Sequence, residues 1–449
     1  MKFIASINPA TQKAIKKVRV SNKKDIDNAV KNARNVLRKW IDMPLKHKIK
    51  IMRKLANLIR KEKGNLSRLV TQEMGKPLCE SQESPPYIAD FIKYFAAKVE
   101  SVLKPEKAGA SIVVREPIGV VAVIIPWNYP LHIAFENIVL ALLTGNTVVF
   151  KPSETTPLTG LKTMELLRKA GVPKNVVNII IGADDEGRYL VKSDIDMVAF
   201  VGSVSAGKSI MKDSADKLHQ MFLELGGKDA AIVCRDADIK KTAKGIVYKA
   251  FKNCGQICNS IERAYVVRDV ADDFIKKAVE EVKKIKVGNG MDKCVTMGPL
   301  VNKQQFDNFD SHIKDAVRKG ARILYGGKHI KGLFYEPTVL VNVKDNMKIM
   351  KDETFGPALP IVIVRDEMEA IKKANDTRYG LTASVWTKNI EKGLKYSRLL
   401  DVGTVGINHH GGGGYDVPWG GWKESGFGRV GSKEGIRQFT QTKTIVVKR

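Results

Sequence analysis

Val121-Ala-Val-Ile-Ile-Pro-Trp-Asn-Tyr-Pro130 is an apolar strand that stops at a proline-bounded turn and opens into a helix, Leu131–Leu143. Thr147–Phe150 then reads as a strand, Leu158–Ala170 as a helix, Val177–Ile181 as a strand, Glu186–Lys192 as a helix and Met197–Val201 as a strand. Buried apolar strands separated by helices imply a parallel sheet with right-handed crossovers, so the fold class is α/β. Upstream, residues 24–100 carry helical apolar spacing, and Ser111–Pro126 is β-rich and broken at Pro117-Ile-Gly119. Downstream, a second alternation runs through Ala230–Cys234, Ile239–Asn253, Ala264–Val267 and Ala271–Lys284. It continues through Arg322–Tyr325, Thr338–Val341, Leu359–Val364 and Ala383–Thr387. Thr442–Arg449 is a lone β segment that needs a partner, and a neighbouring subunit is one candidate.

The chain's 449 residues exceed one ordinary domain, and 43% hydrophobic residues suffice for two or three cores. Apolar runs such as Val120–Ile125 are strand-sized, short of the roughly 18 residues of a membrane span. Met1-Lys-Phe-Ile-Ala-Ser6 lacks the apolar core of a secretory signal, so a cytoplasmic location is expected. Five cysteines without a CxxC pair or zinc-spaced Cys/His cluster point to free thiols and no metal site. The net charge of +28 raises nucleic acid as a partner. The lysines, however, are dispersed at helical spacing, as at Lys46, Lys50 and Lys54, and aromatics make up only 7%. A solvated basic surface, attractive to anionic cofactors and substrates, is the expectation, with no nucleic-acid partner.

Several turns carry polar residues with two readings each. Asn128 either caps the helix after it or sends its amide into a cleft as an oxyanion donor. In Phe150-Lys-Pro-Ser-Glu154, Lys151 and Glu154 are loop residues or holders of ribose hydroxyls. In Phe200-Val-Gly-Ser-Val-Ser-Ala-Gly207, the glycines make a tight turn or let N–H groups approach a phosphate. In Glu353-Thr-Phe-Gly-Pro357, Phe355 plugs the core or packs on a nicotinamide beside Glu353. Gly403–Asn408 and Pro418-Trp-Gly-Gly-Trp-Lys-Glu-Ser-Gly-Phe-Gly-Arg429 either wall a small pocket or form a plain surface loop. Gly411–Gly414 between them reads as a pocket lid.

Cys258, in Phe251-Lys-Asn-Cys-Gly-Gln-Ile-Cys258, follows Gly255-Gln256, where a turn can expose its sulfur. Glu224, in Leu223-Glu-Leu-Gly-Gly-Lys228, supplies a carboxylate in a separate segment. A thiol with a separate base can attack a carbonyl and later have its acyl group hydrolysed. Cys254 is the rival nucleophile, and Cys79, Cys234 and Cys294 read as small buried hydrophobes.

From Asn8-Pro-Ala-Thr11 to the C-terminus, the order and spacing of these segments resemble the NAD(P)-dependent aldehyde dehydrogenase superfamily. The resemblance implies a Rossmann-type cofactor domain (1–100 and 119–225), an α/β catalytic domain (226–424) and a small oligomerisation β element (101–118 and 436–449). It implies Cys258 as nucleophile, Glu224 as general base, and Asn128 with the Cys258 N–H as oxyanion hole. Lys151, Ser153 and Glu154 match adenine-ribose contacts, Gly202 and Ser203 the pyrophosphate loop, and Glu353 and Phe355 the nicotinamide side. Trp127 joins them as a cofactor-binding residue. The implied reaction is aldehyde oxidation through a thiohemiacetal and a thioester that Glu224 helps to hydrolyse. The presence of Glu224 favours hydrolysis over acyl-CoA formation. Glu154 would repel a 2′-phosphate, so NAD is favoured over NADP. A homodimer or homotetramer is implied.

The chain departs from the family pattern in places. It starts close to Asn8-Pro9, so the usual leading β-hairpin is expected to be missing. Val430 and Gln441 stand where many relatives have Glu, which removes a proton relay through either. Asn137 replaces a common Lys. Glu136 and Lys252 replace arginines that grip a carboxylate in succinate-semialdehyde enzymes, although Lys252, Arg263 or His409 could substitute. Ala141–Thr147, Gly202–Lys208 and Cys258–Arg263 look most like lactaldehyde and other hydroxyaldehyde dehydrogenases. A semialdehyde is the alternative substrate, and a non-catalytic nucleic-acid-binding protein the alternative class.

Overall fold

The computed structural model describes residues 1–447. Two parallel sheets organise it. The first is six-stranded, in the order Gly426–Phe427, Gln220–Glu224, Met197–Val201, Val120–Ile124, Thr147–Lys151, Val177–Ile179. All its pairings are parallel except that of Gly426–Phe427 with Gln220–Glu224. Val120–Ile124 and Met197–Val201 are fully buried, as apolar strands covered by helices on both faces must be. Strand order reverses at Val120–Ile124, which pairs with Thr147–Lys151 on one side and Met197–Val201 on the other. A crevice at the carboxyl ends is expected at such a switch point.

The second sheet has seven strands, in the order Arg322–Tyr325, Thr338–Val341, Ala358–Val364, Ile261–Val267, Asp229–Val233, Thr382–Trp386, Thr404–Ile407. Only its Arg322–Tyr325 edge is antiparallel. A separate apolar cluster packs around it, while the first sheet and the helices of residues 23–103 share two others.

At the N-terminus, Phe3–Ile7 and Ala14–Arg19 pair antiparallel in a hairpin whose turn contains Asn8-Pro9, which is not the hairpin expected to be missing ahead of that segment. The Asn8 side chain makes its turn by accepting the N–H groups of Ala10 and Thr11. The terminal segment is not lone. Thr440–Val446 pairs antiparallel with Ser111–Pro117 of the same chain, and Glu106–Ala108 completes that sheet. Lys448 and Arg449 of that segment lie outside the described residues. Cys234 and Cys254 are buried, but Cys79 and Cys294 are exposed, against expectation. Both lie at loop or short-helix positions, where no sheet covers them.

Buried Glu73 ties three segments together. Its carboxylate accepts from Ser6 Oγ (2.7 Å), Leu158 N (2.9 Å), Thr159 N (2.7 Å) and Thr159 Oγ1 (2.6 Å). It thereby caps the helix Pro157–Ala170 from another helix and anchors the N-terminal hairpin. Replacing it with Ala leaves buried donors unsatisfied. Glu73→Ala should lower stability by about 3 kcal/mol, read as a drop in the urea unfolding midpoint.

Candidate active site

The site lies where carboxyl-end loops of the two sheets meet. Helix Ile239–Phe251 ends, and Asn253 (φ 51°), Cys254 (φ 58°) and Gly255 (φ 70°) follow in the left-handed region. Two adjacent non-glycine residues there are strained, so neighbours must hold them. Asn253 N–H donates to Glu80 at 3.0 Å, and its side-chain amide donates to the Gln256 carbonyl at 3.0 Å. Gln256 returns a bond to the Asn253 carbonyl and accepts from Val301 N–H at 2.9 Å. A Cβ on Gly255 would collide with the Gly356 carbonyl, so that position requires glycine.

The turn buries Cys254 at 1% exposure and brings Cys258 out half-buried. Cys258 Sγ donates to Glu224 Oε1 at 3.5 Å. Glu224, last in its strand, also accepts from Trp419 Nε1 at 2.9 Å. Asn128 Nδ2 donates to the Gln256 carbonyl at 3.2 Å. Asn128 therefore points at the cysteine loop and does not cap the helix Pro130–Leu143. An amide NH2 has two donors, and this bond uses one of them. Burial, then the Glu224 charge, pushes the Cys258 thiol well above its usual range. Burial also raises Glu224, opposed by the Trp419 N–H. A protonated thiol facing a carboxylate that holds protons more readily than usual is a donor–acceptor pair ready for proton transfer.

Asn128, Glu224 and Cys258 line one cleft of about 380 Å³. Gly412 and Gly414 of the proposed lid line it too. The other candidate residues lie outside it. Lys151 ends its strand, with Nζ 4.0 Å from the Glu154 carboxylate, whose side chain is 45% exposed. The Ser153 hydroxyl accepts from Thr155 N–H. Gly202 N–H donates to the Glu224 carbonyl at 3.1 Å, and Ser203 caps helix Val204–Ser214 through Ala206 N–H. The Trp127 and Phe355 rings meet edge to face at 5.6 Å. Glu353 accepts from Gly227 N–H at 3.1 Å, and burial, with Glu262 second, raises it to about 8.

A buried ion pair holds the Glu353–Phe355 loop. Lys228 binds Glu262, and Glu262 accepts the N–H groups of Thr354 and Phe355. Two of the three candidates for gripping a substrate carboxylate fall away. Arg263 is buried and bound to the carbonyls of Lys228 and Ala374. His409 lines a different cavity. Lys252 does reach the cleft, paired to Glu83 at 2.5 Å. Cys234, Asp236 and Glu367 cluster, but the Lys392 ammonium already binds both carboxylates.

Sequence reasoning missed several cleft residues. Trp419 sat inside a motif valued only for its glycines and aromatics. Tyr87 and His132, stacked at 4.4 Å, come from different helices and carried no local signal. Lys249 lines the cleft, and among the described residues no carboxylate lies within ion-pair reach of it.

The profile described as "Aldehyde dehydrogenase family" matches residues 1–445. The chain belongs to the aldehyde dehydrogenase family. It is 37% identical over 400 residues to the betaine aldehyde dehydrogenase of Bacillus subtilis (strain 168), covering 86% of this chain and 82% of that protein. It is 38% identical over 396 residues to an NADP(+) succinate-semialdehyde dehydrogenase of Escherichia coli (strain K12), with the same coverage. A solved lactaldehyde dehydrogenase superposes with a TM-score of 0.97 at 33% identity, covering 100% of this chain and 96% of that one. The chain is accordingly an aldehyde-oxidising oxidoreductase with the α/β architecture of aldehyde dehydrogenases.

Removing the Trp419 N–H destabilises the Glu224 carboxylate, so its protonation moves to higher pH. Trp419→Phe should shift the acid limb of kcat upward by about one pH unit, measured in steady-state pH profiles.

Proposed function

We propose that this aldehyde dehydrogenase oxidises a small hydroxyaldehyde, such as lactaldehyde or glyceraldehyde, to its acid with NAD. The contact between Cys258 and Glu224, with Asn128 aimed at the same loop, carries the mechanism. Glu224 takes the Cys258 proton, and the thiolate attacks the aldehyde carbonyl. Asn128 Nδ2 and the Cys258 N–H receive the oxyanion. A bound nicotinamide dinucleotide would accept the hydride. Glu224 releases that proton to water before it removes one from the hydrolytic water, which attacks the thioester; the C–S bond breaks, and Cys258 takes up a proton as the acid leaves.

The donor set fits such a cofactor. An exposed carboxylate at Glu154 suits ribose hydroxyls, and the first turn of helix Val204–Ser214 offers N–H groups to a pyrophosphate. Trp127 and Phe355 supply an apolar wall near Glu353. Glu154 would repel a 2′-phosphate, which favours NAD. Glu136 and Lys252 in the cleft are already engaged, by His132 and by Glu83, which suits a polar, uncharged substrate. The unpaired Lys249 favours a second reading, a semialdehyde whose carboxylate it would meet.

We assign residues 1–100 with 119–225 to cofactor binding, 226–424 to catalysis, and 101–118 with 436–449 to oligomerisation. The outer edge of Thr440–Val446 offers a route to a homodimer or homotetramer by sheet extension. A cytoplasmic location is proposed with it. No helix among the described residues is long and apolar enough to cross a membrane.

Cys258→Ala should lower kcat by at least about 10⁴-fold while NAD still binds. Turnover retained by that variant would overturn the assignment. Lactaldehyde, glyceraldehyde and succinate semialdehyde compared by kcat/KM decide the substrate. A preference for the semialdehyde that Lys249→Met abolishes would establish the second reading. Glu154→Ala should narrow the kcat/KM preference for NAD over NADP, and an unchanged ratio would remove Glu154 from cofactor choice.

A further inference from the structure

Helix Pro130–Leu143 carries two more ionisable groups into the cleft beyond Asn128. His132 Nε2 lies 2.8 Å from Glu136 Oε1, one turn along, and both line the cleft with Glu224 and Cys258. Their side chains are 24% and 14% exposed, so cleft water reaches both. Tyr87 stacks on His132 at 4.4 Å and fixes the ring plane. Both groups are close enough to Glu224 for their charges to bear on its ionisation.

Thioester hydrolysis demands a proton outlet. A water O–H bond and the C–S bond break, a C–O bond forms, and Cys258 recovers one proton. The acid ionises at neutral pH, so one further proton leaves the cleft for each acid formed. Glu224 receives it first and needs a next carrier.

The other neighbours do not serve. Trp419 N–H is only a donor, and Val430 in the cleft wall is apolar. Asn137 donates its amide to the Ile133 carbonyl. Burial pushes the Tyr87 and Tyr129 hydroxyls far up, so both stay protonated. From the cysteine-bearing side, Lys252 is tied to Glu83, and Lys249 pairs with no carboxylate among the described residues. Tyr415, from the glycine-rich loop, also lines the cleft, and Tyr415 and Asp416 bear on the Tyr87 hydroxyl. The His132 imidazole, held by a carboxylate, has one ring nitrogen that can accept a proton and another that can release one.

We infer that the His132–Glu136 pair is the proton outlet of Glu224, receiving through cleft water the proton taken from the hydrolytic water. His132 carries the proton, and Glu136 is a positioning residue that orients the imidazole. This rests on the proposed roles of Cys258 and Glu224.

p-Nitrophenyl acetate tests it without cofactor, because it acylates Cys258 directly. The burst of p-nitrophenolate counts acylation, and the slower steady rate reports hydrolysis. His132→Asn should keep the burst amplitude and lower the steady rate at least about tenfold. Its steady-rate pH profile should lose one ionisation present in the parent, and added imidazole should restore the rate. Glu136→Gln, which keeps a hydrogen-bonding side chain, should lower the steady rate less and leave the burst intact. Steady rates unchanged in both variants would overturn the outlet. So would a loss confined to aldehyde KM, or an unaltered pH profile without imidazole rescue. If the parent itself shows no burst that Cys258→Ala abolishes, the roles of Cys258 and Glu224 fail first.

Discussion

Asn253, Cys254 and Gly255, three successive residues in the left-handed region, turn the chain out of a buried helix and deliver Cys258 to Glu224. Such a turn is unfavourable in isolation. It persists because bonds from other segments leave it no alternative: Glu80 on the Asn253 N–H, Val301 on the Gln256 side chain, and Asn128 on the Gln256 carbonyl. The last of these comes from the first sheet. The same bond therefore sets the distance between the two sheets' loops and the direction of the Asn128 amide. The placement of Cys258 and the direction of the Asn128 amide are one constraint here.

Beneath the loops, buried charge is matched at close range. Lys228 with Glu262 holds the Glu353–Phe355 segment, and Asp229 with Thr382 and His410 lies under Asn259. Breaking either network would leave an unpaired group without water, so both hold their loops rigidly. Rigid walls suit a site in which burial raises both the thiol and the carboxylate above their usual ranges.

The alternation of apolar strands and helices was legible because buried parallel strands are uninterrupted apolar runs. Val121–Ile125 and Leu131–Leu143 each fall within one residue of the observed elements. Strands with mixed composition were not legible. Gln220–Glu224 is strand because Met197–Val201 and Gly426–Phe427 bond to its two edges, not because of its own pattern. The hairpin at Phe3–Arg19 was not read because most of its strand residues face solvent and Ala14–Arg19 carries two lysines in place of an apolar alternation. Cys79 and Cys294 show that residue type alone does not decide burial.

The sequence by itself determined the fold class, the two alternating halves and the residue types able to perform thiol chemistry. Periodicity and turn chemistry are local, and the spacing of Cys258, Glu224 and Asn128 within their motifs is a property of the string. Tertiary structure alone decided what those residues touch. It singled out Cys258 over Cys254 by burying one sulfur and facing the other to a carboxylate. It placed Trp419, 195 residues away in sequence, on Glu224. It paired the terminal strand within the chain, and it lined the cleft with His132, Glu136 and Lys249. Each is a contact between distant segments, set by how two sheets pack, and no local pattern encodes it.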